Sequence, residues 1–309
     1  MRVVALAGGT GGAKLAAGLQ AVLGSELSVV ANTGDDTEAL GIHVSPDPDL
    51  ITYWLCDEID EERGWGIRDD TFTAFERLVQ LGEPDWFALS DRDLATCLRR
   101  RHMLDQGARP TEAQAHIASA LGVVARVLPM SDEPVRTRVR TPQGWRDFQE
   151  YLVRDRAEPT IEAVEFEGVE RSAPSPEVLE ALARAEAIVI GPSNPVISIG
   201  AILAVPGMRE AIRASSAPVV AVSPFVAGHA IKGPTERFMR AIGHEPSAAG
   251  VAAAYADLLD GLVVDAGDPE PPPDGPRSLV VPTLMDDARS RREVAERTLA
   301  LAQELAAAA

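Results

Sequence analysis

Four aspartates crowd one short stretch of the chain: Asp35 and Asp36 in Asn32-Thr33-Gly34-Asp35-Asp36, then Asp47 and Asp49 in Ser45-Pro46-Asp47-Pro48-Asp49. Closely spaced carboxylates suit a hard cation such as magnesium, which takes oxygen ligands and shares its shell with substrate phosphates. The bland alternative is loop acids serving as caps and turns. Pro46 and Pro48 are expected to hold Asp47 and Asp49 in an extended loop, off a regular helix. Upstream, Gly8-Gly9-Thr10-Gly11-Gly12 separates an apolar run from a helical pattern. Such a turn lets backbone N–H groups and a helix N-terminus approach a phosphate. It is neither a dinucleotide fingerprint, because the third glycine would fall on Lys14, nor a Walker A loop, because Ala13 and Leu15 replace the required Gly and Ser/Thr. A third constellation, Gly191-Pro192-Ser193-Asn194-Pro195, presents a hydroxyl and an amide on a backbone stiffened by two prolines, and Ser223-Pro224 repeats the arrangement later. In Ser90-Asp91-Arg92-Asp93, the plain reading is a helix cap with Arg92 paired to neighbouring acids. The five histidines are scattered, and no G-x-S-x-G serine is present.

These residues need a scaffold, and the periodicity supplies one. Arg2–Ala7 and Leu27–Ala31 are short apolar runs joined by the helical stretch Ala13–Leu23, the pattern of buried parallel strands with a crossover helix. Apolar strands recur at Ala187–Ile190, Pro218–Val222, Leu262–Val264 and Leu279–Val281, and Arg289–Ala307 reads as a closing helix. The expected fold is therefore α/β, a Rossmann-like, doubly wound, mostly parallel sheet in three layers. Residues 1–55 and 185–309 would form the nucleotide-binding core. Residues 56–184, richer in charge, would form an inserted mixed α/β lobe. Its expected helices are Thr71–Leu81, Asp91–Leu104 and Thr111–Leu121, and its expected strands Ala125–Leu128, Val135–Arg140 and Ile161–Phe166. Gly267–Pro276, dense in Pro and Asp, reads as an exposed loop.

A formal charge of −18, with 47 acidic against 29 basic side chains, opposes non-specific binding to nucleic acid or an anionic membrane. Phosphate must then be held by local devices. Two cysteines, Cys56 and Cys97, make no disulfide framework or cysteine-rich zinc site, although they could form one bridge. With no long apolar stretch and no leader-like start, a cytoplasmic protein is expected.

Taken in order, Gly8–Gly12, Asn32–Asp36, Ser45–Asp49, Trp65-Gly66, Asp91–Thr96, Leu128–Asp132, Phe148-Gln149, Gly191–Gly200 and Ser223-Pro224 resemble the motifs of the 2-phospho-L-lactate transferase family. The resemblance runs along nearly the whole chain. It implies a step in biosynthesis of the deazaflavin coenzyme F420: transfer of a phospholactyl or phosphoenolpyruvyl group from a guanosine-diphosphate carrier to the deazaflavin Fo, with release of GMP. It also implies magnesium, a homodimer and a Rossmann-like core. Carried over residue by residue, it assigns Gly9, Thr10, Gly11, Gly12, Ser193, Asn194, Ser223 and Lys232 to the donor. Magnesium would fall to Asp35, Asp47 and Asp49. The catalytic roles would go to Asp49 as base, Asp36 in support and Arg92 on the donor's charge. The insert would contribute to the Fo site. Two positions depart from the pattern: Cys97, where many members carry His, and Ala88, where a polar or basic residue is common. The rival readings are a nucleotide-sugar-binding regulator of the same fold and a nicotinamide dehydrogenase.

Overall fold

The computed structural model describes residues 1–270 and 274–308. The centre of the Gly267–Pro276 stretch, expected as a loop, lies outside the described residues. Among these residues, seven short apolar strands make one sheet: β1 (Val3–Ala7), β2 (Leu27–Ala31), β3 (Arg126–Pro129), β4 (Ala187–Ile190), β5 (Val219–Val222), β6 (Gly261–Asp265) and β7 (Arg277–Val281). Their spatial order is β7-β6-β5-β4-β1-β2-β3, and every adjacent pair is parallel. Parallel strands must be covered on both faces, which is why they are nearly continuous apolar runs. Their side chains alternate between two cores. Val4 and Leu6 pack on one side with Ile188, Ile190 and Ile202, whereas Val3, Ala5 and Ala7 pack on the other with Leu15, Leu19 and Val294.

The strand order reverses between β1 and β4. Chains leaving these two strands depart to opposite faces, opening a crevice at their carboxyl ends where ligands bind in open α/β sheets. The crevice is registered by Leu6 opposite Ile190, and Gly191 N–H donates to the Leu6 carbonyl at 2.9 Å. Five helices form or support its walls: α1 (Gly9–Leu23), α2 (Pro46–Leu55), α3 (Asp91–Asp105), α4 (Pro110–Ala120) and α5 (Ala288–Ala308).

Two expectations need correction. Pro46 and Pro48 do not keep the chain off a helix; they are the first and third residues of α2. First-turn N–H groups have no intrahelical acceptor, so proline forfeits nothing there and its fixed φ favours the start. Asp47 and Asp49 therefore stand in the first turn of a helix, at the positive end of its dipole. Nor is 56–184 a lobe apart. Its strand β3 pairs with β2 in the core sheet, and Met130, Val139, Phe148 and Tyr151 share one apolar cluster with Leu6 and Ile188. The rest of the insert comprises helices and a three-stranded antiparallel sheet of Arg136–Thr141, Gly144–Asp147 and Ala163–Glu167. Both cysteines are free thiols, and among the described residues no helix is long and apolar enough to cross a membrane.

Candidate active site

A cavity of about 610 Å³ opens at the carboxyl ends of β1, β4 and β5. Part of its polar lining is made where the glycine turn meets the loop after β4, and the approach there is backbone to backbone. A Cβ on Gly11 would lie 2.2 Å from the Pro192 carbonyl oxygen, and one on Gly12 would lie 2.4 Å from Ser193 Oγ. The two loops are also tied by Gly8 N–H donating to Ser193 Oγ at 3.1 Å. Gly9, Thr10 and Gly11 face the cavity, while Gly12 lies beneath and serves the packing of the loops.

Ser193, Asn194 and Ser223 reach the cavity wall, yet each also secures its own loop. Asn194 Oδ1 accepts from Val196 N–H at 2.9 Å, and Ser223 Oγ accepts from Phe225 N–H at 3.2 Å. Lys232 lines the cavity from the segment after β5 and crosses its mouth. A Cβ on Gly64 would sit 2.2 Å from Lys232 Nζ. Lys14 stands beside it, unassigned by sequence reasoning. Its ammonium donates to the Met285 carbonyl at 2.8 Å, and burial lowers its pKa. The available signal is its rarity, for Lys14 and Lys232 are the only lysines in the chain.

The four aspartates separate into different environments. Asp35 is buried at the cavity wall, and its loop is held from the insert by Gln149 Nε2 donating to the Asp35 carbonyl at 3.2 Å. Among the described residues its Oδ1 has no hydrogen-bond partner. Burial, followed by the charge of Asp47, raises the Asp35 carboxyl well above the usual carboxylate range. Asp47 accepts from Gly9 N–H at 2.7 Å and from Asn32 Nδ2 at 2.9 Å, and burial pushes it up to about 6.

Asp49, expected as a metal ligand and base, has both oxygens engaged by Arg100 of α3, one at 2.9 Å. Burial still outweighs the arginine and raises its pKa. That pairing is at odds with both expected roles. Asp36 is not part of this cavity: it accepts from Ser45 Oγ at 2.7 Å, faces His43 Nε2 at 3.1 Å and lines a separate pocket of about 250 Å³. Arg92 also lies outside the cavity wall, half-exposed, with its Nε 3.6 Å from Asp70 and its guanidinium on the Arg68 carbonyl. Nor do Asp35, Asp47 and Asp49 gather around one point. Among the described residues, the grouping whose metal-type ligand atoms lie within 4.8 Å of one another is Asp49, Asp93 and Cys97. Arg100 already supplies a cation to that group.

The sequence leaves Asp93 as one of the surface acids beside Arg92, with Ser90 or Asp91 as the cap. It is buried at the cavity wall instead, where Tyr53 Oη donates to its Oδ1 at 2.8 Å. Asp91 is the residue of that motif that caps a helix: its carboxylate accepts from Ala74 N–H at 2.9 Å and Thr73 N–H at 3.2 Å. The cavity also has an apolar lining. Trp65, Trp86, Phe87 and Phe148 line it together with Ala88 and Ile231. Trp86 and Phe87 meet edge-on with centroids 5.5 Å apart, and Trp65 and Ile231 remain 45% and 57% exposed at the mouth. Such a wall suits a flat aromatic ligand, and the acids of the same cavity suit a charged one.

The model of the family described as 2-phospho-L-lactate transferase CofD matches residues 3–276. The chain is 43% identical to a phosphoenolpyruvate transferase of Kitasatospora aureofaciens, covering 99% of both chains. It is 42% identical to a 2-phospho-L-lactate transferase of Methanosarcina mazei, covering 86% of this chain and 88% of the relative. A crystal structure of a UPF0052-family protein from Bacillus halodurans superposes with a TM-score of 0.64 at 20% identity, covering 96% of this chain and 98% of the other; that likeness concerns the fold.

Proposed function

The chain belongs to the 2-phospho-L-lactate transferase CofD family, and on that premise we propose that it moves a phospholactyl or phosphoenolpyruvyl group from a guanosine-diphosphate carrier to the deazaflavin Fo, releasing GMP. The observation that carries this reading is the mixed lining of one crevice. A glycine turn, two lysines and buried aspartates line it together with Trp65, Trp86 and Phe87. Phosphoryl-type transfer needs mainly positioning and charge neutralisation. The amides of the glycine turn, the α1 N-terminus, Lys14 and Lys232 take the diphosphate. Ser193, Asn194 and Ser223 shape the pocket beside it. Trp65, Trp86 and Phe87 sandwich the deazaflavin ring, which aims its chain of hydroxyls at the acids.

The residues present fit magnesium. Asp35 offers a buried oxygen with no partner among the described residues, and Asp47 stands beside it as a second hard ligand. Substrate phosphates commonly complete such a shell. When bound, magnesium supplies neutralisation of the diphosphate charge. The fit has a consequence for stability. Folded Asp35 and Asp47 hold protons that an unfolded chain releases near pH 4, so their ionised forms oppose folding as pH rises, Asp47 through about 6. A divalent cation relieves this only once the protons are gone. Millimolar magnesium is therefore expected to stabilise the protein at pH 7.5 by about 2.7 kcal/mol at a hundredfold excess over Kd, read as a higher melting midpoint, and to do little at pH 4.5. Equal midpoints with and without magnesium at pH 7.5 would reject Asp35 and Asp47 as its ligands.

The activity itself is tested by mass spectrometry of the purified protein with Fo, magnesium and each of the two guanosine-diphosphate-activated acids in turn. F420-0 or its dehydro form, appearing with GMP, is the expected result and identifies the donated acid. Folded, magnesium-loaded protein yielding no product with either donor would overturn the reading.

A further inference from the structure

Transfer to a hydroxyl requires a group that takes the hydroxyl proton as the new O–P bond forms. Three of the acids at the cavity are already committed. Both Asp49 oxygens are held by Arg100, while Asp35 and Asp47 are the cation ligands, Asp47 also accepting from Gly9 and Asn32. Asp93 differs from all of them. It projects from the first turn of α3, directly after the Trp86–Leu89 segment of the aromatic wall. Tyr53 fixes its Oδ1, while Oδ2 has no hydrogen-bond partner among the described residues and is not sealed from the cavity that the residue lines.

We propose that Asp93 is the general base of the transfer, its free carboxylate oxygen taking the proton of the acceptor hydroxyl, and that Tyr53 is the positioning residue that aims it. The inference rests on the transferase reading above. In the step, the acceptor O–H bond breaks and its electron pair forms the new O–P bond. The P–O bond to the guanosine phosphate breaks, and GMP departs with that pair. The proton rests on Asp93 and then passes to water. The setting agrees with the role: burial, with the negative charges of Asp49 from α2 and Asp70 from the preceding loop, raises the Asp93 carboxyl to about 7, against the opposing effects of Tyr53 and Arg100. A base is most effective when its pKa lies near the working pH.

The test compares Asp93→Asn and Tyr53→Phe with the wild-type protein at saturating magnesium, measuring kcat and both KM values. Asparagine keeps an oxygen for Tyr53 but cannot take a proton. Its kcat is expected to fall by about 10²–10⁴-fold with both KM values little changed, and Asp93→Glu should regain part of the loss. Tyr53→Phe, which leaves the carboxylate present but unaimed, should lose a smaller factor of about 10 in kcat, again with little change in KM. A kcat for Asp93→Asn near the wild-type value, or a loss confined to KM, overturns the proposal. Should Asp93→Asn fail to fold, Tyr53→Phe decides alone, and an unchanged kcat then counts against it. Wild-type protein without activity on either donor would sink the transferase reading, whereas active wild type with active Asp93→Asn sinks only the assignment of the base.

Discussion

Arg100→Met is expected to destabilise the protein by about 3–5 kcal/mol, the scale of leaving one partner of a buried ion pair uncompensated. Both Arg100 and Asp49 are 3% exposed, so water cannot take over the lost partner. The guanidinium also meets Gln114 Oε1 at 3.3 Å. Gln114 Nε2 donates to Thr52 Oγ1 at 2.8 Å, and that hydroxyl donates to the Pro48 carbonyl at 2.7 Å. One polar chain thus ties α2, α3 and α4 together behind the cavity. Against a total stability of roughly 5–15 kcal/mol, the loss should lower the melting midpoint by on the order of 10 °C. A midpoint within a degree or two of wild type would show that the pair does not carry this load. The double variant Asp49→Leu/Arg100→Met should recover most of the deficit, because removing both charges abolishes the burial penalty along with the attraction.

Asp47→Asn should have the opposite signature. The amide cannot serve as an anionic ligand, and it turns an N–H₂ toward one of the two donors that Asp47 now accepts from. Turnover is expected to fall by roughly 10²–10³-fold, as when one preorganised electrostatic group is removed. Stability should follow the sign of the proton linkage. Folded Asp47 titrates at about 6, above its unfolded value near 4. Its favourable contribution is therefore complete below that unfolded value and is lost as pH rises through 6. The uncharged asparagine escapes that loss. In magnesium-free buffer the midpoint of the variant relative to wild type should therefore climb between pH 4.5 and 7.5. A relative midpoint that falls over the same range, or near-normal turnover, would reject the placement of Asp47 as a desolvated anion at the reaction centre.

Much of the scaffold is legible in the residues alone. Runs such as Val3–Ala7 and Ala187–Ile190 have no polar face, which only a doubly covered parallel sheet tolerates, and the closing helix spans Ala288–Ala308, one residue longer at each end than its periodicity predicts. Local pattern cannot name a strand's partner. By pattern Ala125–Leu128 groups with the charged helices around it, whereas its strand belongs beside β2, nearly a hundred residues upstream. The acids are legible as a set but not by role. Arg100 stands in Arg99-Arg100-Arg101, three adjacent arginines of the same residue type, and only the fold turns the middle one inward to Asp49. Arg92 shows the reverse: a basic residue inside a distinctive motif, spent on the Arg68 carbonyl and Asp70 rather than on the cavity. Asp93 is hidden for a related reason, since two aspartates at a helix start look alike, and only one of them caps.

The glycine-turn wall of the crevice is built from chain segments far apart in sequence: the hydrogen bond from Gly8 to Ser193 spans 185 residues. A ribosome adding roughly 5–20 residues per second leaves the glycine turn waiting on the order of 10–40 s for the loop that completes it. During that interval the nascent chain has an exposed β1 edge and an unfinished crevice. Closing so long a loop is entropically slow, and it precedes every contact that rewards it. A complete crevice in this protein is consequently a property of nearly finished chains. A truncated or stalled product ending before β4 lacks the loop that completes the crevice, so an intact crevice reports that the two halves of the sheet have found each other.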